Sequence, residues 1–540
     1  MSAQLSANTR ALLPRLPPAC WALLLAGCAA LPPGHDYPRG PPLEITQPPS
    51  AALLRPFAAG ERAHPAQSGF RMVSVGVDGL LLRLELIAQA RSSLDLQYYI
   101  FHGDESGRLV TEALARAAER GVRVRVLVDD AETIAGDEQL FALAGHPNVA
   151  IRVFNPWRYR GHMRVGRAVE FLFNHERLDY RMHNKLFVAD GAIALIGGRN
   201  IGDQYFQVDP ESQFADDDVF AAGPVVSELA ATFAQFWDSE PAIPAQALTS
   251  ARRERSVERA VALARRRTPP QKAANAGFNY QERLDQGEPL ASILSGATAL
   301  DWAPAEVACD SPDKKQVVKG ERVGRLSFTA VASAIRQTQS ELTMVSAYLV
   351  PAPDELKLLE ERRALQRRVR ILTTSLEASN VALAQAAYMH YRVPLLQAGV
   401  ELYELRALPE SRRGTGESAK LARTGNFSLH AKLLVFDRSG IFVGSMNYDQ
   451  RSRWLNTENG LIIRSATLAG HTAERFAAMT QPQNAYLVTL EPAAPGRRAR
   501  LTWTTQTAGH VISTHTEPAR SAWQRLRVQL LSLLHVDREL

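Results

Sequence analysis

The stretch RMHNKLFVAD occupies residues 181–190, and LHAKLLVFD occupies residues 429–437. Each carries a His, a Lys two positions on and an Asp five further: His183, Lys185 and Asp190, then His430, Lys432 and Asp437. The echo continues downstream. IGGRN ends at Asn200 and VGSMN at Asn447, so the interval from His to Asn is the same in both copies (200 − 183 = 17; 447 − 430 = 17). Read as strands, these segments put His and Lys on one face and the residue between them on the other. A buried ammonium beside an imidazole is costly unless an anion joins them. A phosphate would satisfy both, since Lys can neutralise an oxygen and an imidazole nitrogen can attack phosphorus. A single copy would be weak evidence, because a lone strand His is more often structural. Two copies at equal spacing imply a duplicated site; the bland alternative is a duplicated structural element without activity.

The surroundings repeat as well. SLDLQYYIF (93–101) predicts a strand, SGRLVTEALARAAERG (106–121) a helix with a Gly stop, and VRVRVLVDD (122–130) a strand. In the second half ELTMVSAYLV (341–350), DELKLLEERRALQ (354–366) and RVRILTT (368–374) predict strand, helix, strand. Units of this kind argue a duplicated α/β fold with parallel or mixed sheets. The chain has 540 residues, 46% hydrophobic and 22% charged, with net charge +6 and three cysteines. These are the proportions of an ordinary globular protein. They exclude a disulfide scaffold and offer no metal-ligand spacing, and the small positive charge favours an anionic partner only weakly.

Residues 1–27 read as a signal peptide, with Arg10 and Arg15 ahead of a short apolar run ending LAGC, a lipobox pattern with Cys28 as the lipidated residue. An ordinary cleaved signal, or an uncleaved anchor with a chance Cys, is the alternative. A Pro-rich tether, 28–67, is expected to be extended and unpacked, with structure beginning near Ser68. The first half is expected over 68–250, a linker or insert over 251–320 containing the basic run ARRERSVERAVALARRR, and the second half over 321–482. The extension 483–540 ends in SAWQRLRVQLLSLLHVDREL, which places Trp523, Leu526, Leu530, Leu531 and Leu534 on one helical face, with Arg520, Arg525 and Arg527 nearby. Packing of that face on the second half is preferred over a membrane-surface role.

The motif HxKxxxxD followed by G-[GS]-x-N, twice in one chain, resembles the phospholipase D superfamily. LDLQYYIF, RMHNKLFVADGAIALIGGRNIGDQYF, FADDDVFAAGPVV and YRVPLLQAGVELYELR are similar to its bacterial cardiolipin synthase branch, closest to the lipoprotein-like type, from about Ser68 to the C-terminus. The resemblance implies two mixed-sheet α/β halves sharing one cleft and a ping-pong phosphatidyl transfer. His183 is favoured as nucleophile and His430 as acid/base, though the residues alone leave this open. Lys185, Lys432, Asn200 and Asn447 would hold phosphate oxygens, and no metal or cofactor is implied. A carboxylate should orient each imidazole. Glu458 of RWLNTENG is expected for His430, and Asp216, ahead of Asp217 and Asp218 in FADDDV, for His183. Asp190 and Asp437 are expected to bind backbone at strand ends. The chain departs from the branch at Gly198, where the second copy has Ser445, at Ala347 for a Pro, and at Gln385 for a His; His390 is expected on a helix surface.

The expected substrates are anionic glycerophospholipids: phosphatidylglycerol as donor and a second phospholipid as acceptor, giving cardiolipin. The alternatives are a phospholipase D that transfers to water, a superfamily nuclease, and an inactive scaffold; no nucleic acid is expected. The lipobox and Ala29 imply a lipoprotein facing the periplasm, by the usual sorting pattern on the outer membrane, whereas phospholipid synthesis points to the inner one.

Overall fold

A computed structural model describes residues 32–131, 137–159, 164–209, 212–248, 289–407, 426–491 and 500–534. The signal peptide, Cys28 and the basic run lie outside the described residues. Two large mixed sheets repeat one strand order. The first runs Asp301–Ala303, Ser68–Val73, Asp218–Ala222, Ile193–Gly197, Leu186–Ala189, Ser93–Tyr98, Arg123–Asp129, Val149–Phe154, Ala242–Pro244. The second runs Ala305–Val307, Gly460–Ile463, Gly440–Gly444, Lys432–Phe436, Glu341–Ser346, Arg368–Thr374, Glu401–Leu405, Ala485–Glu491, then Arg500–Thr507 and His510–Thr514. Ser68–Val73 is the extra strand of the first sheet. In each sheet three neighbouring strands are parallel, 93–98 with 123–129 and 149–154, and 341–346 with 368–374 and 401–405. Helices Glu105–Glu119 and Pro353–Ala364 make the matching crossovers. Among the described residues no helix is long and apolar enough to cross a membrane.

The motif strands are apolar on both faces because both faces are covered. Leu186–Ala189 and Lys432–Phe436 are buried throughout. One core joins the halves: Val188, Ile196 and Val219 of the first sheet pack with Leu433, Val443 and Leu461 of the second, together with Phe233 and Phe476 from helices Val225–Trp237 and Ala466–Met479. The two sheets therefore bury their motif strands against each other's half.

Four expectations on organisation change. Residues 28–67 are not an unpacked tether where they are described. Leu53 and Phe57 enter the first core, and Arg39 donates to the carbonyls of Asp238, Ser239 and Glu240 at 3.0, 3.0 and 3.2 Å. Leu53 and Phe57 lie in short helices, Ala51–Leu54 and Arg55–Phe57, ahead of the expected start at Ser68, and burying these two apolar side chains fixes the segment along the first half. The stretch 289–320 is no linker: Asp301–Ala303 closes one sheet and Ala305–Val307, one residue on, closes the other. The boundary expected at 482 falls just before Ala485–Glu491, an integral strand paired with Glu401–Leu405. The strand expected over 341–350 breaks after Ser346, and Leu349–Val350 pairs with Tyr448–Asp449 instead.

The C-terminal helix, Ala522–Ser532, does pack on the second half, but by a different face. Val528 is its buried residue and Leu531 is partly covered, against Leu376, Ala386 and Met389. Trp523, Leu526, Leu530 and Leu534, expected to be the packed face, are exposed. Val528 wins because it lies opposite helix Ala382–Gln397, where the small side chains of Ala382 and Ala386 let the two helices approach closely.

Candidate active site

Both His–Lys segments are held by strand-like contacts to the other half. His183 N–H donates to Thr457 O at 2.9 Å and Thr457 N–H to Arg181 O at 2.9 Å. Asn184, pointing away from His183, accepts from Thr457 Oγ1 at 2.7 Å. Lys185 N–H donates to Asn459 Oδ1 at 3.0 Å. On the other side Asn426–Leu429 pairs in parallel with Ser212–Ala215, and His430 N–H donates to Ala215 O at 2.8 Å.

This exchange decides the carboxylate partners. His183 Nδ1 lies 2.8 Å from Glu458 Oε2, and His430 Nδ1 lies 2.6 Å from Asp216 Oδ2. The expected pairing, Glu458 with His430 and Asp216 with His183, is therefore reversed: each imidazole is oriented by the opposite half. The cause is the segment pairing just described, which sets Thr457–Glu458 beside 181–183 and Ala215–Asp216 beside 428–430. Sequence intervals within one half carry no trace of it.

All eight of these side chains are buried: both His, both Lys, Asn200, Asn447, Glu458 and Asp216. Burial is the main force on each imidazole. It pushes His183 well below its ordinary range, helped by Lys185 and Lys432. It pushes His430 down to about 3, helped by Lys432 and opposed by Asp216. Both imidazoles feel both lysines, which places the two motifs in one site. Burial also lowers Lys185 well below its usual value and Lys432 to about 8. Burial raises Glu458 to about 7. For Asp216 burial acts upward, but His430 and Lys432 outweigh it and hold the carboxyl below the usual range. The resting site thus holds neutral imidazoles, one fixed carboxylate, and lysines that gain from any arriving anion.

Asn200 accepts from Ile100 N–H at 3.1 Å, while its buried Nδ2 has no hydrogen-bond partner among the described residues; on Asn447 the same holds for Oδ1. The asparagines thus retain unused polar capacity. Asp190 and Asp437 stand apart from the imidazoles, as expected. Asp190 accepts from the backbone N–H groups of Ser50, Arg91, Ser92 and Ser93. Asp437 accepts from those of Gln339, Ser340 and Glu341. Both sit at positive φ, 53° and 50°, in the turns that reverse each motif strand.

Gly198 acquires a reason here. A Cβ there would lie 2.0 Å from Asp216 Oδ1, so only glycine leaves room for the carboxylate. In the second copy Ser445 Oγ donates to Glu458 and accepts from Asn459 N–H at 3.0 Å.

Other functional neighbours escaped the sequence reading. Tyr99 stands edge-on to His183 at 4.9 Å between centroids, and Tyr205 and Phe214 enclose His430 at 5.1 and 5.2 Å. Asp310 accepts from Glu458 N–H at 2.7 Å and is paired with Lys314 at 2.8 Å, both fully buried. Asp310 and Lys314 lie in the segment expected to be a linker, so only their fully buried pairing signals a role. Gln385 is buried with its Nε2 unpartnered among the described residues. His390 is on a helix surface, bonded to Ser532 O at 2.9 Å.

The family model described as "Cardiolipin synthase, PLD-like domain" matches residues 84–237 and 331–480, one match per half. The chain belongs to this family. It is 35% identical over 476 residues to cardiolipin synthase C of Escherichia coli strain K12, covering 88% of this chain and 96% of that one. It is 24% identical to a cardiolipin synthase of Halalkalibacterium halodurans, over 71% of this chain and 60% of the relative. The fold is shared with a phosphatidylserine synthase of Haemophilus influenzae Rd KW20, with TM-score 0.53 and 13% identity, over 90% of this chain and all of that one. The chain is thus a phospholipase D-type phosphatidyltransferase with a duplicated fold.

Proposed function

We propose that the protein forms cardiolipin from phosphatidylglycerol and a second phospholipid through a phosphohistidine. His183 Nε2, its Nδ1–H directed at Glu458, attacks phosphorus as the bond to the departing glycerol oxygen breaks. His430, which takes up a proton as the anionic phosphodiester binds beside it, passes that proton to the oxygen. The acceptor's hydroxyl then returns its proton to His430 and displaces His183, so no net proton is consumed. Lys185, Lys432, Asn200 and Asn447 hold the non-bridging oxygens as charge builds on them. The observation that carries this reading is the pair of buried, carboxylate-backed imidazoles lying in the field of the same two lysines. The family match and the E. coli relative support phospholipid as the substrate class. Cys28 would anchor the mature chain to a membrane facing the periplasm.

The test is lipid mass spectrometry on phosphatidylglycerol vesicles, with and without phosphatidylethanolamine, beside His183→Ala. Cardiolipin made only by the wild type is expected. Phosphatidic acid in its place would make the protein a phospholipase D, and neither product would overturn the lipid reading.

A further inference from the structure

The two carboxylates that orient the imidazoles are not held in the same way. In the first half Asp216 is fixed from within its own motif. Arg199, fully buried, donates through Nη2 to Asp216 O and pairs with Asp218 at 3.4 Å. The strand registers set Gly197 level with Asp218 and Gly444 level with Gly460, so Asp218 and Gly460 are equivalent, as are Asp216 and Glu458 two residues before them. The second half lacks both members of the ion pair. Met446 stands where Arg199 does (199 − 183 = 16; 446 − 430 = 16), and Gly460 where Asp218 does. Glu458 must be held by something else.

Segment 310–315 supplies the hold. Strand Ala305–Val307 sets Val307 level with Leu461, and three residues on Asp310 meets Glu458. Asp310 N–H donates to Glu458 O at 2.9 Å, and Asp310 Oδ2 accepts from Glu458 N–H at 2.7 Å, so one residue grips both backbone polar groups of Glu458. Lys314 Nζ donates to that same Oδ2 at 2.8 Å and to the carbonyls of Ser452 and Asn456 at 2.6 and 2.7 Å, which occupies all three of its N–H bonds. Ser327 N–H and Oγ hold Asp310 Oδ1 at 2.7 and 3.1 Å.

Both side chains of the pair are fully buried. For stability alone, an apolar pair of similar size often serves as well as a buried ion pair. What an apolar pair would not do is fasten the stretch 452–458 at three backbone groups and so set Glu458 Oε2 2.8 Å from His183 Nδ1. The charge of Lys314 has a further effect. Burial raises Glu458, and Lys185, the Ser445 hydroxyl and Lys314 act against it, favouring the carboxylate that His183 faces. The segment also touches the other side of that contact: Tyr180 Oη donates to Pro312 O at 2.7 Å, and Lys315 Nζ to Glu176 O. It thus ties the stretch that carries Glu458 to the one that ends at His183.

We propose that Asp310 and Lys314 are positioning residues for His183: they stand in for Asp218 and Arg199 of the other half and hold Glu458 against the His183 ring. The proposal rests on the phosphatidyl-transfer reading of the site, but the state of the ring has its own readout.

Lys314→Met in the full-length protein leaves Asp310 buried and unpaired and is expected to weaken the fold. It is therefore joined by Asp310→Asn/Lys314→Met, in which no charge is left alone. Asn keeps one acceptor oxygen for the two N–H groups of Ser327 and Glu458, and Met donates to neither carbonyl. On phosphatidylglycerol vesicles the double variant should lose about tenfold or more in kcat per folded molecule, with KM within about twofold, because orientation is lost while binding is kept. In protein labelled with ¹⁵N at histidine, the ring signals of His183 should move and those of His430 stay. Val528→Ala, a truncation in the packing of the C-terminal helix, controls for lost stability alone and should leave turnover per folded molecule and both rings unchanged. Unchanged kcat with unchanged His183 signals in the double variant would overturn the proposal, since the pair would then serve only the fold. So would equal movement of both rings. If the wild type formed no transfer product while the His183 signals still moved alone in the double variant, the chemistry would fail and the positioning would stand.

Discussion

The crossed pairing of imidazoles and carboxylates yields the sharpest test. Glu458→Gln and Asp216→Asn keep size and acceptor oxygen but remove the charge beside one ring each. The contacts are 2.8 Å to His183 and 2.6 Å to His430, fully buried on the carboxylate side. A hydrogen bond to a charged group is worth ~1.5–3 kcal/mol, and each ~1.4 kcal/mol is a factor of ten, so about 10- to 150-fold in transfer rate is at stake for each variant. The rate alone does not say which ring was disturbed. Imidazole ¹⁵N resonances do, in protein labelled at histidine and assigned with His183→Ala and His430→Ala. Glu458→Gln should move the ring signals of His183 and leave those of His430; Asp216→Asn should do the converse. The reasoning is refuted if Glu458→Gln perturbs His430 and spares His183, because the carboxylates would then serve their own halves.

Gly198→Ser should lower activity by about tenfold or more and cost ~1–3 kcal/mol of stability, since its Cβ would enter the Asp216 carboxylate; Ser445→Gly, losing its hydrogen bond to Glu458 and the acceptor of Asn459 N–H, should cost ~2–3 kcal/mol of stability. Asp190→Ala should remove more than ~3 kcal/mol of stability by orphaning four backbone donors, while turnover per folded molecule, measured well below the melting temperature, stays within a few-fold. Acid should destabilise the protein through its histidines. His183 and His430 titrate lower in the fold than unfolded, so their contribution is present above about pH 6.5 and is lost as pH falls, at up to ~1.4 kcal/mol per unit for each, with His430 continuing to about 3. Glu458, raised to about 7, acts in the opposite sense and loses its contribution as pH rises from ~4.5 through that value. The stability of the wild type relative to His430→Gln should therefore fall by up to ~1.4 kcal/mol per unit as pH drops from about 6.5 to 5, read from paired melting midpoints.

The sequence by itself determined the chemistry of the site and the doubling of the fold. The equal His-to-Asn intervals, the strand–helix–strand echo and the glycine before each motif's downstream strand end are local patterns, and local patterns are written in adjacent residues. Asp190 and Asp437 were legible for the same reason: a motif strand must reverse, and an Asp in the turn can bind the backbone it meets. Only the tertiary structure decided which carboxylate serves which imidazole, because that follows from segments more than 200 residues apart lying side by side, as His183 does with Thr457 and His430 with Ala215. The same holds for Gly198, whose Cβ space is taken by Asp216, and for 289–320, a stretch poor in periodic signal whose two short strands complete both sheets. It holds again for the C-terminal helix. Its periodicity announced an apolar face, but which side is buried depends on the shape of helix Ala382–Gln397, and packing chose Val528 over the row that contains Trp523.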